Sequence, residues 1–339
     1  MMVKIFSVAL HKLPVLALVG LSAACSSPTT TLNTAHNTAR CTDVAASVND
    51  AGFGDKVSVD CTDDKAIIRS NSYPDHILMT GIKGTNEQVP VPAEGYAAPI
   101  PLEPVLGDTP QTRDAALGVA VNGVPIFDYT GGGEMTVADL YHHQTQHDTL
   151  QTEQLDVCGG HAGRGDDYHY HVKPTCMIDQ MKNKGDAAII GWAFDGFPIY
   201  GDNNPDGSKI AAGTLDVCNG QPDPTYGYRY HTSAEAPYIV QCLMGLVASM
   251  RELPKISPLV PATGGPGLEP GVPPRGGVEN LVFSEDESGQ RSMDYVYQGE
   301  AYYIRYRPGK TPGCYTFETR TVTNNGEAIT GEYCRGQAQ

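Results

Sequence analysis

The sequence predicts a mainly β protein: an internally duplicated, pseudo-twofold β-rich domain with a short helix and long ordered loops, followed by a small C-terminal β portion. Three observations predict it. Gly118-Val119-Ala120-Val121-Asn122-Gly123-Val124-Pro125-Ile126-Phe127 reads against Gly191-Trp192-Ala193-Phe194-Asp195-Gly196-Phe197-Pro198-Ile199-Tyr200. Leu155-Asp156-Val157-Cys158-Gly159-Gly160 reads against Leu215-Asp216-Val217-Cys218-Asn219-Gly220, and Tyr168-His169-Tyr170-His171 against Tyr228-Arg229-Tyr230-His231. Three blocks in the same order, with Cys158 and Cys218 each thirteen positions before the final histidine, define repeats near 118–176 and 191–242. Each repeat begins as strand, Asx-Gly turn and strand.

In chain order, the first segment reads as export. Lys4 and Lys12 flank or precede an apolar run from Pro14 to Leu21, followed by Ser22-Ala23-Ala24-Cys25. The run is too short for a convincing membrane span. Residues 1–24 are a signal peptide on this reading, and cleavage before Cys25 makes that cysteine a lipid anchor. Ser22 is an imperfect start to the lipobox, and ordinary secretory cleavage is the other outcome. Residues 25–40, rich in Thr, Ser and Asn, read as an extended lipid-anchored tether. The expected location is an exported one, as an outer-membrane or cell-surface lipoprotein, with a periplasmic face as the alternative.

Of nine cysteines, removal of Cys25 leaves an even set, suited to an oxidising compartment. Nearest-neighbour pairing gives Cys41 with Cys61, Cys158 with Cys176, Cys218 with Cys242 and Cys314 with Cys334. The sequence alone leaves that connectivity open. No CxxC pair occurs, so staples are a better reading than zinc thiolates. The formal charge of −16 argues against nucleic acid and anionic membrane surfaces, both of which repel an acidic chain.

Residues 41–255 read as the duplicated domain, 256–278 as a Gly/Pro linker, with Gly264 to Gly277 at its centre, and 279–339 as the C-terminal portion. Pro74-Asp75 favours a turn that presents His76. Met135–Gln146 is the best helical candidate, with His143 and His147 on one face. Asp195-Gly196 is a turn whose carboxylate serves either a cation or turn amides. Asp202, Asn204 and Asp206, followed by Gly207, imitate a calcium loop, although Gly213 stands where an EF-hand needs Glu. Strands are expected at Ser292–Tyr297, Tyr302–Arg307, Tyr315–Thr323 and Ala328–Tyr333, with Asn325-Gly326 as the last turn.

The chemistry concentrates at the alternating Tyr/His stretch. On a strand, residues two apart share a face, so His169 and His171 project together and Tyr168 and Tyr170 project oppositely. The glycines after Cys158 allow His161 to approach them. Three imidazoles around an open position suit copper or zinc. In the second repeat His231 is retained, Arg229 stands where the first has His169 and Gln221 where it has His161. A guanidinium is no ordinary metal ligand, but it holds carboxylates and phosphates, so the second half is expected to orient a small anion.

Cys158-Gly159-Gly160-His161, Tyr168-His169-Tyr170-His171, Cys176 and Gly191-Trp192-Ala193-Phe194-Asp195-Gly196-Phe197-Pro198-Ile199-Tyr200-Gly201 resemble the family named after its Tyr-His-Tyr-His motif. The resemblance is expected to cover about 65–245, including Pro74-Asp75-His76. It implies an exported protein with a metal centre, often proposed to be copper, and assigns no reaction. No Ser-His-Asp set, GxSxG, Walker A or dinucleotide fingerprint appears in its required setting. Two readings follow. One is a metal-binding lipoprotein using or handling copper, with zinc as alternative, through His161, His169, His171 and His231, with His76, Asp195 and Arg229 as secondary-site candidates. The other is a metal-dependent hydrolase of an extracellular anionic ester, phosphate or glycan.

Overall fold

A computed structural model describes residues 28–133, 135–262 and 274–335. The expected signal peptide, Cys25 and most of the Gly264–Gly277 linker lie outside the described residues. Helix α1 (Pro28–Ala51) opens the described chain, so the extended tether expected over 25–40 is corrected from Pro28 onward. Cys41, Val44, Val48 and Ala51 recur at helical spacing and are buried, and that stripe outweighs the Thr/Asn-rich composition before it. Gly52, at φ +91°, stops the helix, with Phe53 N–H donating back to Val48 O.

Strands β1 (Ser58–Cys61), β2 (Lys65–Ser70) and β3 (Tyr96–Pro101) form an antiparallel sheet. β4 (Leu106–Gln111) then leaves for a distant partner. Residues 118–176 supply β5 (Gly118–Ala120), β6 (Pro125–Ile126), β7 (Gly160–Ala162) and β8 (Tyr168–Tyr170). A short helix α2 (Thr175–Gln180) follows. Residues 191–242 supply β9 (Gly191–Ala193), β10 (Pro198–Tyr200), β11 (Gly220–Asp223) and β12 (Gly227–His231). These eight make one sheet in the order β11-β12-β10-β9-β5-β6-β8-β7. Its senses read alike from either end: β6 runs parallel to β8 and β10 to β12, and the other pairs are antiparallel.

At the centre, β5 meets β9 with Gly118 opposite Ala193 and Ala120 opposite Gly191. The two glycines permit that approach, since a Cβ on Gly118 would lie 2.6 Å from Trp192 O and one on Gly191 2.8 Å from Val119 O. Helix α1 docks on this sheet through Trp192 Nε1, which donates to Ser47 Oγ at 3.0 Å, and Arg40, which donates to Gly196 O at 2.6 Å. The helix expected over Met135–Gln146 is corrected to two single 3-10 turns, Asp139–Tyr141 and Thr145–His147. Their backbone parts at His142, which is extended, and Leu140 is the only buried residue of the two turns, so no apolar face holds a longer helix.

β13 (Leu243–Gly245) pairs with β4. The C-terminal sheet takes β14 (Leu259–Pro261), β15 (Glu279–Glu285), β16 (Arg291–Tyr297), β17 (Glu300–Pro308), β18 (Cys314–Arg320) and β19 (Ala328–Arg335), in the order β14-β19-β18-β17-β16-β15. The four expected strands are therefore present within a few residues, joined by β15 and by β14 from the segment read as linker. The Asn325-Gly326 turn has positive φ at both residues. Four disulfides join Cys41 to Cys61, Cys158 to Cys176, Cys218 to Cys242 and Cys314 to Cys334.

Candidate metal centre

β7 and β8 pair so that His161 stands directly opposite His169, and His171 follows on the same face just past the end of β8. Ring centroids lie 5.0 Å apart for His161 and His169, 4.9 Å for His161 and His171, and 4.7 Å for His169 and His171. One ligand nitrogen from each of the three lies within 4.8 Å of the others, and all three side chains are buried. His161 Nε2 and His171 Nε2 approach to 3.1 Å.

The outer nitrogens are held by backbone. His171 Nδ1 donates to Asp128 O, and His169 Nδ1 faces Asp167 O at 3.2 Å, with the Asp167 carboxylate at 3.6 Å. The backbone of Gln154 lies beside His161 and favours its protonated form, against the larger effect of burial. A carbonyl accepting from Nδ1 leaves the lone pair on Nε2, the tautomer a metal requires. Burial holds His161 and His171 well below the ordinary imidazole pKa, and the neighbouring His169 pushes the same way, so both are neutral and ligand-ready at pH 7.

Phe127 stacks on His169 with centroids 4.0 Å apart. Gly163 leaves room for the same ring, since a Cβ there would lie 2.5 Å from His169 Cε1. The three rings face a cavity of about 480 Å³, lined also by Phe127, Asp128, Gln154, Arg164, Lys255 and Ile256. Burial pushes the Asp128 carboxyl up to about 6, although Thr130 donates to it through both backbone N–H and hydroxyl. Nothing in the local pattern singles out Phe127, Asp128 or residues 254–258. A glycine two positions after His161 is the one legible sign of Gly163.

The opposite face of β8 belongs to the tyrosines. Tyr168 donates to Asp156, whose Oδ1 also takes Cys158 N–H at 2.9 Å and Gly160 N–H at 3.3 Å, fixing the loop before His161. The repeated Leu-Asp-Val-Cys block marks that aspartate in the sequence. His76 Nε2 meets Tyr170 OH at 2.7 Å and stands on this tyrosine face. Its nearby sulfurs, Cys158 and Cys176, are joined to each other and offer no thiolate. His76 is accordingly corrected from secondary-site candidate to hydrogen-bond partner of Tyr170.

Asp195 is buried, and burial pushes its carboxyl up to about 6. It accepts from Tyr230 OH and from Gly245 N–H at 2.8 Å, so the turn-and-anchor use of the carboxylate is the one observed. The calcium loop is also corrected. Asp202 takes Lys173 Nζ at 2.7 Å and the Thr232 hydroxyl, Asn204 Oδ1 takes Gln221 and Arg229, and Asp206 takes Ser208 N–H at 2.9 Å. Each of the three side chains is engaged by a protein donor. His143 Nε2 bonds to buried Asp148 at 2.7 Å, which also takes Tyr238 OH.

His231 lies apart from the three-histidine group. Its Nδ1 faces Gly201 O at 2.8 Å, while Nε2 meets Gln221 Nε2 at 3.1 Å and Arg229 Nε at 2.9 Å. With donors on both sides of Nε2, no lone pair remains for an ion. Arg229 also donates from Nη1 to Asp223 at 2.5 Å and from Nη2 to Asn204 at 2.8 Å, and both partners of the ion pair are buried. The anion role expected of Arg229 is corrected for that reason: all three of its nitrogens already face protein acceptors.

Residues 97–211 match the family model described as YHYH protein. The match takes in all three clustered histidines and is shorter than the 65–245 expected from the motifs, ending before Arg229 and His231. Neither a curated protein nor a solved structure gave a match to the chain.

Proposed function

We propose that the chain is an exported metal-binding lipoprotein that holds one transition-metal ion at His161, His169 and His171. The observation that carries this reading is the convergence of three buried imidazoles on one wall of a cavity, with Nδ1 of His169 and of His171 turned to backbone carbonyls. Imidazole nitrogens suit copper and zinc alike, and copper handling or use is the favoured role. Four disulfides support an oxidising compartment, consistent with export and with a lipid on Cys25.

A second reading is favoured by the cavity itself. An ion there would supply Lewis-acid activation of water toward an extracellular anionic ester, phosphate or glycan, and Lys255 and Arg164 stand at the cavity wall. Turnover that appears with metal and disappears on chelation separates this reading from carriage or storage.

The domain plan belongs to the same reading: 41–255 as a duplicated domain, with units 118–176 and 191–242 related by a pseudo-twofold between β5 and β9. Support comes from repeated contacts. Asn122 bonds to Tyr170 OH as Asp195 does to Tyr230 OH. Asp216 takes Cys218 N–H, Gly220 N–H and Tyr228 OH just as Asp156 takes Cys158 N–H, Gly160 N–H and Tyr168 OH.

The test is metal analysis of gently purified mature protein beside His169→Ala. The parent is expected to carry one equivalent. Since removing even an outer partner of a metal ligand costs about 10–100-fold in affinity, loss of a direct ligand should cost about 100-fold or more. A folded parent that takes up neither copper nor zinc would sink the proposal.

A further inference from the structure

We propose that the second unit is the same centre with its ion replaced by the chain's own cation: the Arg229 guanidinium sits where the first unit holds a metal. The inference rests on the three-histidine reading and on the kinship of the two units, and it sets the metal stoichiometry at one.

The two hairpins superpose residue by residue in their register. His161 opposite His169 becomes Gln221 opposite Arg229, and Gly160 opposite Tyr170 becomes Gly220 opposite Tyr230. The last histidine keeps its setting. His171 Nδ1 donates to the carbonyl of Asp128, His231 Nδ1 to that of Gly201, and each carbonyl lies two residues after the equivalent isoleucine. Nε2 of His171 meets His161 at 3.1 Å, and Nε2 of His231 meets Gln221 at the same distance.

What differs is the centre. In the first unit the Nε2 atoms of His161 and His171 face each other directly at 3.1 Å. In the second, Arg229 Nε donates to His231 Nε2 at 2.9 Å, so the imidazole that would bind an ion binds a guanidinium instead. A second position changes with it. Gly163, which clears space beside the His169 ring, is Asp223 in the second unit, and Asp223 gives the buried guanidinium its counter-charge at 2.5 Å. Asn204 Oδ1 takes the remaining nitrogen at 2.8 Å. His-with-Gly has become Arg-with-Asp, an internally neutral pair.

The physical consequence is permanence. A guanidinium does not deprotonate in proteins and cannot be removed by a chelator, so the second hairpin keeps its cation in every metal state. A buried Asp without that partner would be left with an uncompensated charge.

The experiment restores the first unit's set in the second with Arg229→His, Gln221→His and Asp223→Gly in the full mature chain, and counts bound Zn²⁺ after dialysis. The parent is expected to bind one ion and the triple variant two. Adding His169→Ala to the triple variant should leave one, at the new site. A parent that binds one and a folded triple variant that still binds only one would overturn the inference, as would a parent that binds two. A parent that binds none defeats the three-histidine reading instead, which keeps the two failures distinct. A metal-independent arm covers misfolding of the triple variant. Arg229→Ala should melt several degrees lower than the parent and recover part of the difference in low-millimolar guanidinium beyond a matched sodium chloride control. An unchanged melting temperature, or loss without guanidinium-specific recovery, would count against a resident cation.

Discussion

At the scale of single residues, the site depends on groups whose role comes from space and burial. Gly163 matters because it is absent from the volume His169 needs. Asp166, three positions before His169, sits at φ +49° and accepts Leu259 N–H at 2.9 Å, tying the loop of the three-histidine hairpin to β14. Burial pushes its carboxyl up to about 7, against the lowering effects of the Leu259 N–H and of Arg335. A carboxyl that keeps its proton longer in the folded chain than in the unfolded one stabilises fully below the unfolded value near 3.8, and that contribution is lost as pH rises through about 7. Asn tolerates positive φ and can accept the same N–H. Asp166→Asn is expected to gain melting temperature over the parent on going from pH 5 to pH 8, and a gap that stays constant with pH would refute the assigned burial cost.

Among elements, the loop between β6 and β7 is pinned twice, by the Cys158–Cys176 disulfide and by Asp156. The two restraints act on different states. The disulfide closes a loop of sequence separation 18 and restricts the unfolded chain, while the Asp156 hydrogen bonds shape the folded loop that leads to His161. Replacing both cysteines by serine should therefore cost about 3 kcal/mol of stability in urea denaturation. Metal content should stay at the parent's level, because Asp156 still holds Cys158 N–H and Gly160 N–H. Loss of the ion at full folding would transfer the positioning role to the disulfide.

The molecule as a whole is closed by its C-terminal sheet. Glu87 accepts Val322 N–H at 2.8 Å, Thr323 N–H at 3.0 Å and the Tyr295 hydroxyl. Arg335 donates to the carbonyls of Ser257 at 2.7 Å and Asp166 at 2.5 Å, next to the segment 254–258 that walls the cavity. β14 precedes Gly264–Gly277 in the chain and β19 follows it, yet the two pair directly. Proteolysis within Gly264–Gly277 should consequently give two fragments that co-elute in size exclusion and melt in one transition. Separate elution of a folded 279–339 piece would contradict this docking.

The same-face pair His169 and His171, the approach of His161 and four C-terminal strands were legible in the sequence, whereas the connectivity of the cysteines, left open there, was decided by the fold. Each of the legible features rests on spacing along the chain: alternation on a strand, turn signals and the order of repeated blocks. The register of β7 against β8 then converts that spacing into a three-nitrogen cluster. What the tertiary structure alone decided is the partner of each polar group. Helix α1 is selected by its contacts with Trp192 and Gly196, far along the chain, which composition does not reveal. His76, Asp195, Asp202, Asn204 and Asp206 have side chains suited to ligands, but donors or acceptors brought in by folding engage them first. Arg229 shows the same limit most plainly. Its identity fixes a positive charge, but whether that charge meets an outside anion or the chain's own His231, Asp223 and Asn204 depends on what the fold packs around it.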